Sequence, residues 1–565
     1  MKDEILSILK PLVPAGTPVD VSVPEQESFG HYSTNVAMRL ANAEKKAPMA
    51  VAQTLSAKIL ATAPAGFFEK VEAVPPGFVN FWLSAKTIQG AFSKVASEKE
   101  YGRSDIGKKK TVIVEYSDVN IAKVMNLGHF RTTIIGVALA NILEFAGYKV
   151  VRWNYLGDWG TQFGKLIAAY KLWGKKEEVE RNPIEELQKL YVRFHEEAKS
   201  DPAVEKRGQE EFKKLEEGDK ENKKLWEWFK KESLKEFERA YRVLGVDFDV
   251  WIGEAFFEPQ LKAVVEECVR KGIAEKSEGA TVIKLEAFNL PPALIQKSDG
   301  ASLYLTRDIA NLRYRLKKYK PAKILYIVGN EQALHFEQLF SIAKLLGMGT
   351  AELAHIKHGL VLGEGGKKFS TREGRTVSLA SAFGKVVSLS RGIVEQKNPA
   401  LSAKEKDGIA AAVGIGALKY NDLKENRMTN IVFDWEKMLD FTGDSGPYLQ
   451  YTHARLNSIL RKAKFKGARR VNFGMLENGP ELGLMLKIFE FPEVVQKAGE
   501  AYSTSALATY LYKLAAVANK FYETTPILKD ENESRRAARL ALTSIAARVL
   551  STGLGLLGIQ APEEI

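Results

Sequence analysis

Apolar residues recur at helical spacing over residues 4–12 and again over 32–60, whereas GFVNFWL at 77–83 has the dense apolar and aromatic texture of a strand. These segments predict a small α+β domain over residues 1–107, closed by the run Lys108, Lys109, Lys110. The texture then changes. TVIVEYS from Thr111 predicts a strand, about 127–146 a helix stopped by Gly147, and VVRWNYL at 150–156 a second strand. Strand, helix and strand at this spacing make a βαβ unit of a parallel, Rossmann-type sheet.

Between about 172 and 242 the chain is highly charged, yet its apolar residues keep helical spacing, which predicts surface helices inserted into the sheet domain. ILYIVG at 324–329 and the helical EQALHFEQLFSIAKLL resume the α/β rhythm, and 358–362 can supply one more strand. An α/β domain therefore spans 108–390 with the insertion inside it. From 391 to 565 helix follows helix, the last closed by Gly553, as in an all-α bundle.

Composition narrows the class. With 565 residues, 45% hydrophobic and 27% charged, the chain can bury several cores and is neither disordered nor fibrous. Lys and Arg outnumber Asp and Glu by 82 to 70, a net charge of +12 that suits a polyanionic partner without requiring one. The single cysteine, Cys268, excludes an intrachain disulfide and a cysteine-based zinc site and suits a reducing compartment; no metal site is expected from it. MKDEILSILKPLV is too short and too acidic for a secretory signal, and no apolar run approaches a bilayer span. The expectation is a soluble, cytoplasmic protein without a membrane partner.

Candidate chemistry concentrates in EYSDVNIAKVMNLGHFRTTIIG at 115–136, where a Gly-His pair opens the helix that follows the first strand. The helix N-terminus offers unpaired amides and a positive dipole end to a phosphate. Gly128 allows close approach, and His129 can donate to a phosphoryl oxygen. In SDGASLYLTRDIANL, Tyr304 and Asp308 stand four residues apart on a predicted helix and face the same way. A carboxylate so placed can take a planar guanidinium by directional, charge-assisted pairing.

Residues 115–136 resemble the HIGH motif of class I aminoacyl-tRNA synthetases, and more closely the arginyl branch, through Asn120, Lys123, Gly128, His129 and Arg131. Val119 replaces the family's proline, and Asn126 replaces the first histidine; its amide can donate a hydrogen bond but never carries charge. NYLGDWGTQFGKL at 154–166 resembles the family's LGDWGTQFG stretch without interruption. GEGGKKFSTREGRTVSL at 363–379 resembles the KMSKS loop, with Thr371 in place of the second lysine, a charge for which Lys123 is thought to compensate in this branch.

The resemblance implies an arginyl-tRNA synthetase that joins arginine to tRNA(Arg) with ATP and Mg2+, releasing AMP and pyrophosphate, and that generally needs bound tRNA for its first step. It implies Lys123, Asn126, His129 and Lys368 as catalytic residues. ATP would lie against these and Gly128, Phe369 and Ser370; arginine against Glu115, Asn120, Tyr304, Asp308 and Gln332. Asp118 stands where the family often has serine and is left outside this set.

By the same resemblance the N-terminal domain contacts the tRNA elbow, the C-terminal helices the anticodon, and the molecule is a monomer. The basic run at 461–470 suits a phosphate backbone, and Tyr448 and Tyr451 offer rings for unpaired bases. Two rival readings are a synthetase-like tRNA-binding protein with impaired catalysis, motivated by Asn126 and Thr371, and a class I synthetase for another amino acid, which would have no use for the carboxylates of Asp308 and Glu115.

Overall fold

The structure is a computed structural model that describes residues 1–362, 378–467 and 471–565. Its centre is a five-stranded sheet of β1 (Thr111–Glu115), β2 (Lys149–Leu156), β3 (Val250–Gly253), β4 (Lys323–Tyr326) and β5 (Glu352–His355). All neighbours are parallel and the order across the sheet is β5-β4-β1-β2-β3. Val112, Ile113 and Val114 are wholly buried because helices cover both faces, which is why this strand reads as an uninterrupted apolar run.

Seven helices matter for the site: α1 (Leu127–Phe145), α2 (Pro183–Ser200), α3 (Lys220–Leu244), α4 (Tyr304–Tyr319), α5 (Ala333–Leu345), α6 (Leu379–Lys397) and α7 (Ala403–Leu423). Helix α1 connects β1 to β2 and ends at Gly147, whose φ of +85° no β-carbon tolerates well. It is apolar almost all round because it lies between the sheet and the C-terminal helices. On the opposite face, Trp153, Phe257 and Ile283 form a second core with α4 and α5.

Helices α2 and α3 belong to the insertion, together with Lys176–Arg181 and Pro202–Glu216. Leu187, Phe194, Phe229 and Phe237 point inward. Outward, pairs such as Lys189–Glu186 and Lys199–Glu196 face water one turn apart, accounting for the charged texture.

An antiparallel three-stranded sheet, Tyr32–Thr34, Phe68–Val74 and Phe78–Leu83, and its helices form the N-terminal part. It docks on the C-terminal helices, where Gln89 donates to the Leu476 carbonyl at 2.8 Å and Lys2 meets Glu493 at 2.8 Å.

Three sequence expectations shift. The sheet edge is Glu352–His355; Val361–Leu362 instead pairs with Ile431–Val432 outside the main sheet. Helix α6 runs across position 390, where texture suggested a boundary. The final helix, Glu533–Leu556, passes through Gly553, whose missing side chain leaves room for Leu511: a β-carbon there would stand 2.4 Å from Leu511 Cδ2. Gly553 therefore serves packing rather than termination.

Candidate active site

Successive connections leave β1 and β4 toward opposite ends of the sheet, so a crevice opens beyond their C-terminal ends, where doubly wound sheets bind ligands. Glu115 and Tyr326, the last residues of these strands, are register partners. The site is built from the segments that follow β1, β2 and β4.

The segments after β1 and β2 extend the pairing of their strands. Ile121 N–H donates to the Gly157 carbonyl at 3.1 Å, and Gly157 N–H to that of Val119 at 3.3 Å. This approach requires glycine: a β-carbon at 157 would stand 1.8 Å from Asn120 Oδ1. Gly157→Ala is therefore expected to push Asn120 out of place and to cost on the order of 1–3 kcal/mol of stability. A fall in the thermal midpoint would check this, and an unchanged midpoint would show that the loop gives way without cost.

At the start of α1 the structure refines the phosphate-site expectation. Asn126 is the N-cap: its Oδ1 accepts from Gly128 N–H at 2.9 Å and His129 N–H at 3.2 Å, so these two amides already have a partner. Asparagine is short and polar enough to reach both, which gives the replacement of the family's first histidine a physical role. In return Asn126 N–H donates to His129 Nδ1 at 3.2 Å, completing a capping box.

Burial, helped by the charge of Lys123, pushes the His129 imidazole down to about 4. At neutral pH the ring is uncharged, and since Nδ1 accepts, the proton sits on Nε2, a donor available to an anionic oxygen. Gly128 is exposed beside it and Lys123 is half-buried. Lys368, Phe369, Ser370 and Thr371 lie outside the described residues. Just beyond them Ser378 bridges to Asn126, and Leu379 N–H donates to the Met125 carbonyl at 2.8 Å, so α6 starts against the capping residue.

On α4, Tyr304 is exposed at the first turn with the Arg307 guanidinium 5.9 Å from its ring. Asp308, one turn on, meets His335 Nε2 on α5 at 2.6 Å. Gln332 is exposed where α5 begins. Glu115 is buried and accepts from the guanidinium of Arg315, which packs 4.4 Å from the Trp153 ring and 5.4 Å from that of Tyr326. Sequence reasoning missed Arg315 and His335, although each lies on the face of its helix that Asp308 or Gln332 indicated.

It also undervalued Asp118 and passed over Glu254. Asp118 Oδ1 accepts from Tyr155 N–H at 2.9 Å, and burial together with the nearby charge of Asp308 holds its carboxyl well above the ordinary range. Burial pushes Glu254 up to about 8 against the opposing charge of Arg307; its Oε2 is buried without a hydrogen-bond partner among the described residues, as is the Tyr155 hydroxyl. Arg307 is already paired with Glu258 at 2.6 Å. Buried carboxyls held in their protonated forms ionise more readily when a cation arrives beside them.

Away from the crevice, Tyr448 is half-buried with its oxygen accepting from Asn519 Nδ2 at 3.0 Å, and Tyr451 lies beneath Arg455 at 4.9 Å. The basic run at 461–470 is described only to 467.

Comparison with known proteins adds independent findings. Residues 91–435 match the model of the class I (R) tRNA synthetase catalytic domain, 449–565 that of the DALR anticodon binding domain, and 1–83 that of the arginyl tRNA synthetase N terminal domain. The arginine–tRNA ligase of Halothermothrix orenii is 41% identical over 96% of this chain and 95% of its own length. That of Enterococcus faecalis is 44% identical over 94% and 92%. Among solved structures, arginyl-tRNA synthetase from Thermus thermophilus superposes with a TM-score of 0.83 at 26% identity, covering 100% of this chain and 99% of that one. The Plasmodium falciparum enzyme gives 0.82 at 26%, covering 100% and 98%.

Proposed function

The chain belongs to the arginyl-tRNA synthetase family and is an arginine–tRNA ligase of class I, and from that premise we propose how its own residues carry the reaction. Arginine enters the crevice with its guanidinium toward Asp308, flanked by Tyr304, Gln332 and Asn120. Glu115 reaches it as part of a pair with Arg315 that sets the floor of the pocket. ATP lies over the start of α1, where His129 Nε2–H, the Asn126 amide and Lys123 face its phosphates, and Lys368, Phe369 and Ser370 complete the set by resemblance.

The arginine carboxylate attacks the α-phosphorus, forming arginyl-adenylate and releasing pyrophosphate. The 2′-hydroxyl of the terminal tRNA adenosine then attacks the acyl carbon, AMP leaves, and arginyl-tRNA is the product. The side chains contribute positioning and charge stabilisation, not covalent chemistry.

Mg2+ accompanies the triphosphate in this reading. Among the described residues no three His, Cys, Asp or Glu side chains group as a ligand set, and magnesium commonly keeps phosphate and water ligands. We assign the tRNA elbow to the N-terminal part and the anticodon to the C-terminal helices, and take the enzyme as a cytoplasmic monomer. Among the described residues no helix is long and apolar enough to cross a membrane.

The observation that carries the arginine assignment is the gathering of the buried carboxyls Asp118 and Glu254 near Asp308, and it has a pH signature. Asp118 and Glu254 are raised in the empty pocket, so near neutral pH they hold protons. A bound guanidinium favours their ionised forms and lowers both values, so binding releases protons. Arginine affinity is therefore expected to climb as pH rises toward about 8 and to level off above it. Calorimetry at pH 7 in two buffers of different ionisation heat would report the protons; no release and a flat affinity would contradict this charge distribution.

The reaction itself is tested by exchange of labelled pyrophosphate into ATP with arginine, with and without tRNA(Arg), and with lysine and citrulline as controls. Exchange that depends on arginine and tRNA is expected. Tight tRNA binding without exchange for any amino acid would overturn the catalytic assignment.

A further inference from the structure

Between Ser117 and Ala122, three residues other than glycine adopt the left-handed region: Ser117 at φ +80°, Asp118 at +49° and Ala122 at +60°. Such backbone persists only where surrounding structure holds it, and here it spaces out Asn120, Lys123 and Asn126. We infer that the helical insertion is the brace that holds this loop, with Ser233, Tyr241 and Gln188 as positioning residues for the reaction; this rests on the reading that the loop carries catalysis.

Two of the contacts fall on strained positions and the third lies two residues past Ala122. The Tyr241 hydroxyl lies 2.6 Å from Ser117 Oγ and also accepts from Asn154 Nδ2 at 3.3 Å, so one phenol ties the loop to β2. Ala122 N–H donates to Ser233 Oγ at 3.0 Å. Ser233 gives its own proton to the Phe229 carbonyl one turn back, at 2.7 Å, which leaves its lone pairs directed at the loop. Val124 N–H donates to Gln188 Oε1 on α2 at 3.3 Å. The peptide is thus held at 117, 122 and 124, with Asn120 and Lys123 between the fixed points.

The brace is itself anchored to the sheet. Ser233 and Tyr241 lie eight residues apart on one buried face of α3, at 0% and 2% exposure, where water cannot replace them. Toward its N-terminal end α3 is bound by Asp158, directly after β2: the carboxylate meets Lys230 at 2.5 Å, and the backbone carbonyl accepts from Trp226 Nε1 at 2.7 Å. Asp158 also accepts from Ala255 N–H at 2.9 Å beyond β3. Insertion, β2 and loop therefore form a closed frame around the reactive residues.

The test compares Ser233→Ala/Tyr241→Phe, Gln188→Ala and Gln188→Glu in tRNA-dependent pyrophosphate exchange, with tRNA affinity and the thermal midpoint measured alongside. The double variant is expected to lose about tenfold or more in kcat with tRNA affinity unchanged. Gln188→Ala, at a half-buried position, is expected to lose several-fold, and Gln188→Glu, which keeps the accepting oxygen, to recover most of it. Unchanged kcat in the double variant, or losses that merely follow a falling midpoint and weaker tRNA binding, would overturn the brace. Lys123→Ala separates the two levels: full activity there would overturn the reading of the loop itself, whereas inactivity beside fully active brace variants would overturn the brace alone.

Discussion

Asp308→Asn is expected to lower kcat/KM for arginine by two to four orders of magnitude while leaving kcat/KM for tRNA and the thermal midpoint nearly unchanged. Asp308 faces the crevice from α4 with 20% of its side chain exposed, and its hydrogen bond is to His335, so asparagine can keep its place in the fold. A guanidinium in the crevice asks more. Asparagine has similar volume but no charge, and leaving a desolvated cation unpaired costs about 3–5 kcal/mol. Steady-state kinetics with arginine varied would show the loss. Citrulline, which is neutral, should be rejected less strongly by the variant than by the wild type; equal rejection by both would move the discriminating charge away from Asp308.

Arg131→Met is expected to produce the largest loss of stability, about 3–5 kcal/mol, measured as a fall in the urea midpoint. The Arg131 side chain is wholly buried. It donates to the Leu360 carbonyl at 3.1 Å and to the Arg427 carbonyl at 3.0 Å, and its Nε stands 3.3 Å from Asp422 Oδ1 on α7. That last approach is out of line for a hydrogen bond and acts as an ionic contact. Burial raises Asp422 to about 6 even with Arg131 beside it, so removing the arginine leaves a carboxyl with no compensating charge. Arg131→Met/Asp422→Leu should therefore be more stable than Arg131→Met alone, because the second change removes the orphan. A double variant weaker by the sum of the single losses would show that the pair is not coupled.

Arg131 also shows what the sequence can and cannot convey. Its place in the first motif was legible, but its work was not, since one of its partners lies 296 residues further along. The β1–α1–β2 unit was legible because a buried strand and a buried helix write continuous apolar text, and Gly147 ends the helix as a left-handed residue must. Short strands such as Glu352–His355 carry too few residues to declare a period, whereas the apolar signal near 358–362 does mark a strand, one that pairs with Ile431–Val432 outside the main sheet.

Within the candidate site, the shared helix of Tyr304 and Asp308 followed from spacing, and the strand end at Glu115 from the apolar run before it. The Arg315 partner of Glu115 and the Glu254 carboxyl did not. Both come from segments distant in sequence, and a buried carboxyl is indistinguishable from a solvated one until its surroundings are known. Asn126 reads as a lost histidine in sequence and as a helix cap in space.

The frame around the β1 loop has a consequence for the order in which the protein is made. Ser117 to Val124 leave the ribosome well before Gln188, Ser233 and Tyr241, the residues that hold them in the left-handed region. A nascent chain that ends short of α3 lacks the Ser233 and Tyr241 contacts and holds the loop through earlier partners alone, Thr133, Tyr155 and Gly157 among them. The most recognisable motif in the chain is thus assembled late: its chemistry becomes available only once the plain, charged helices of the insertion have been translated and have closed over it.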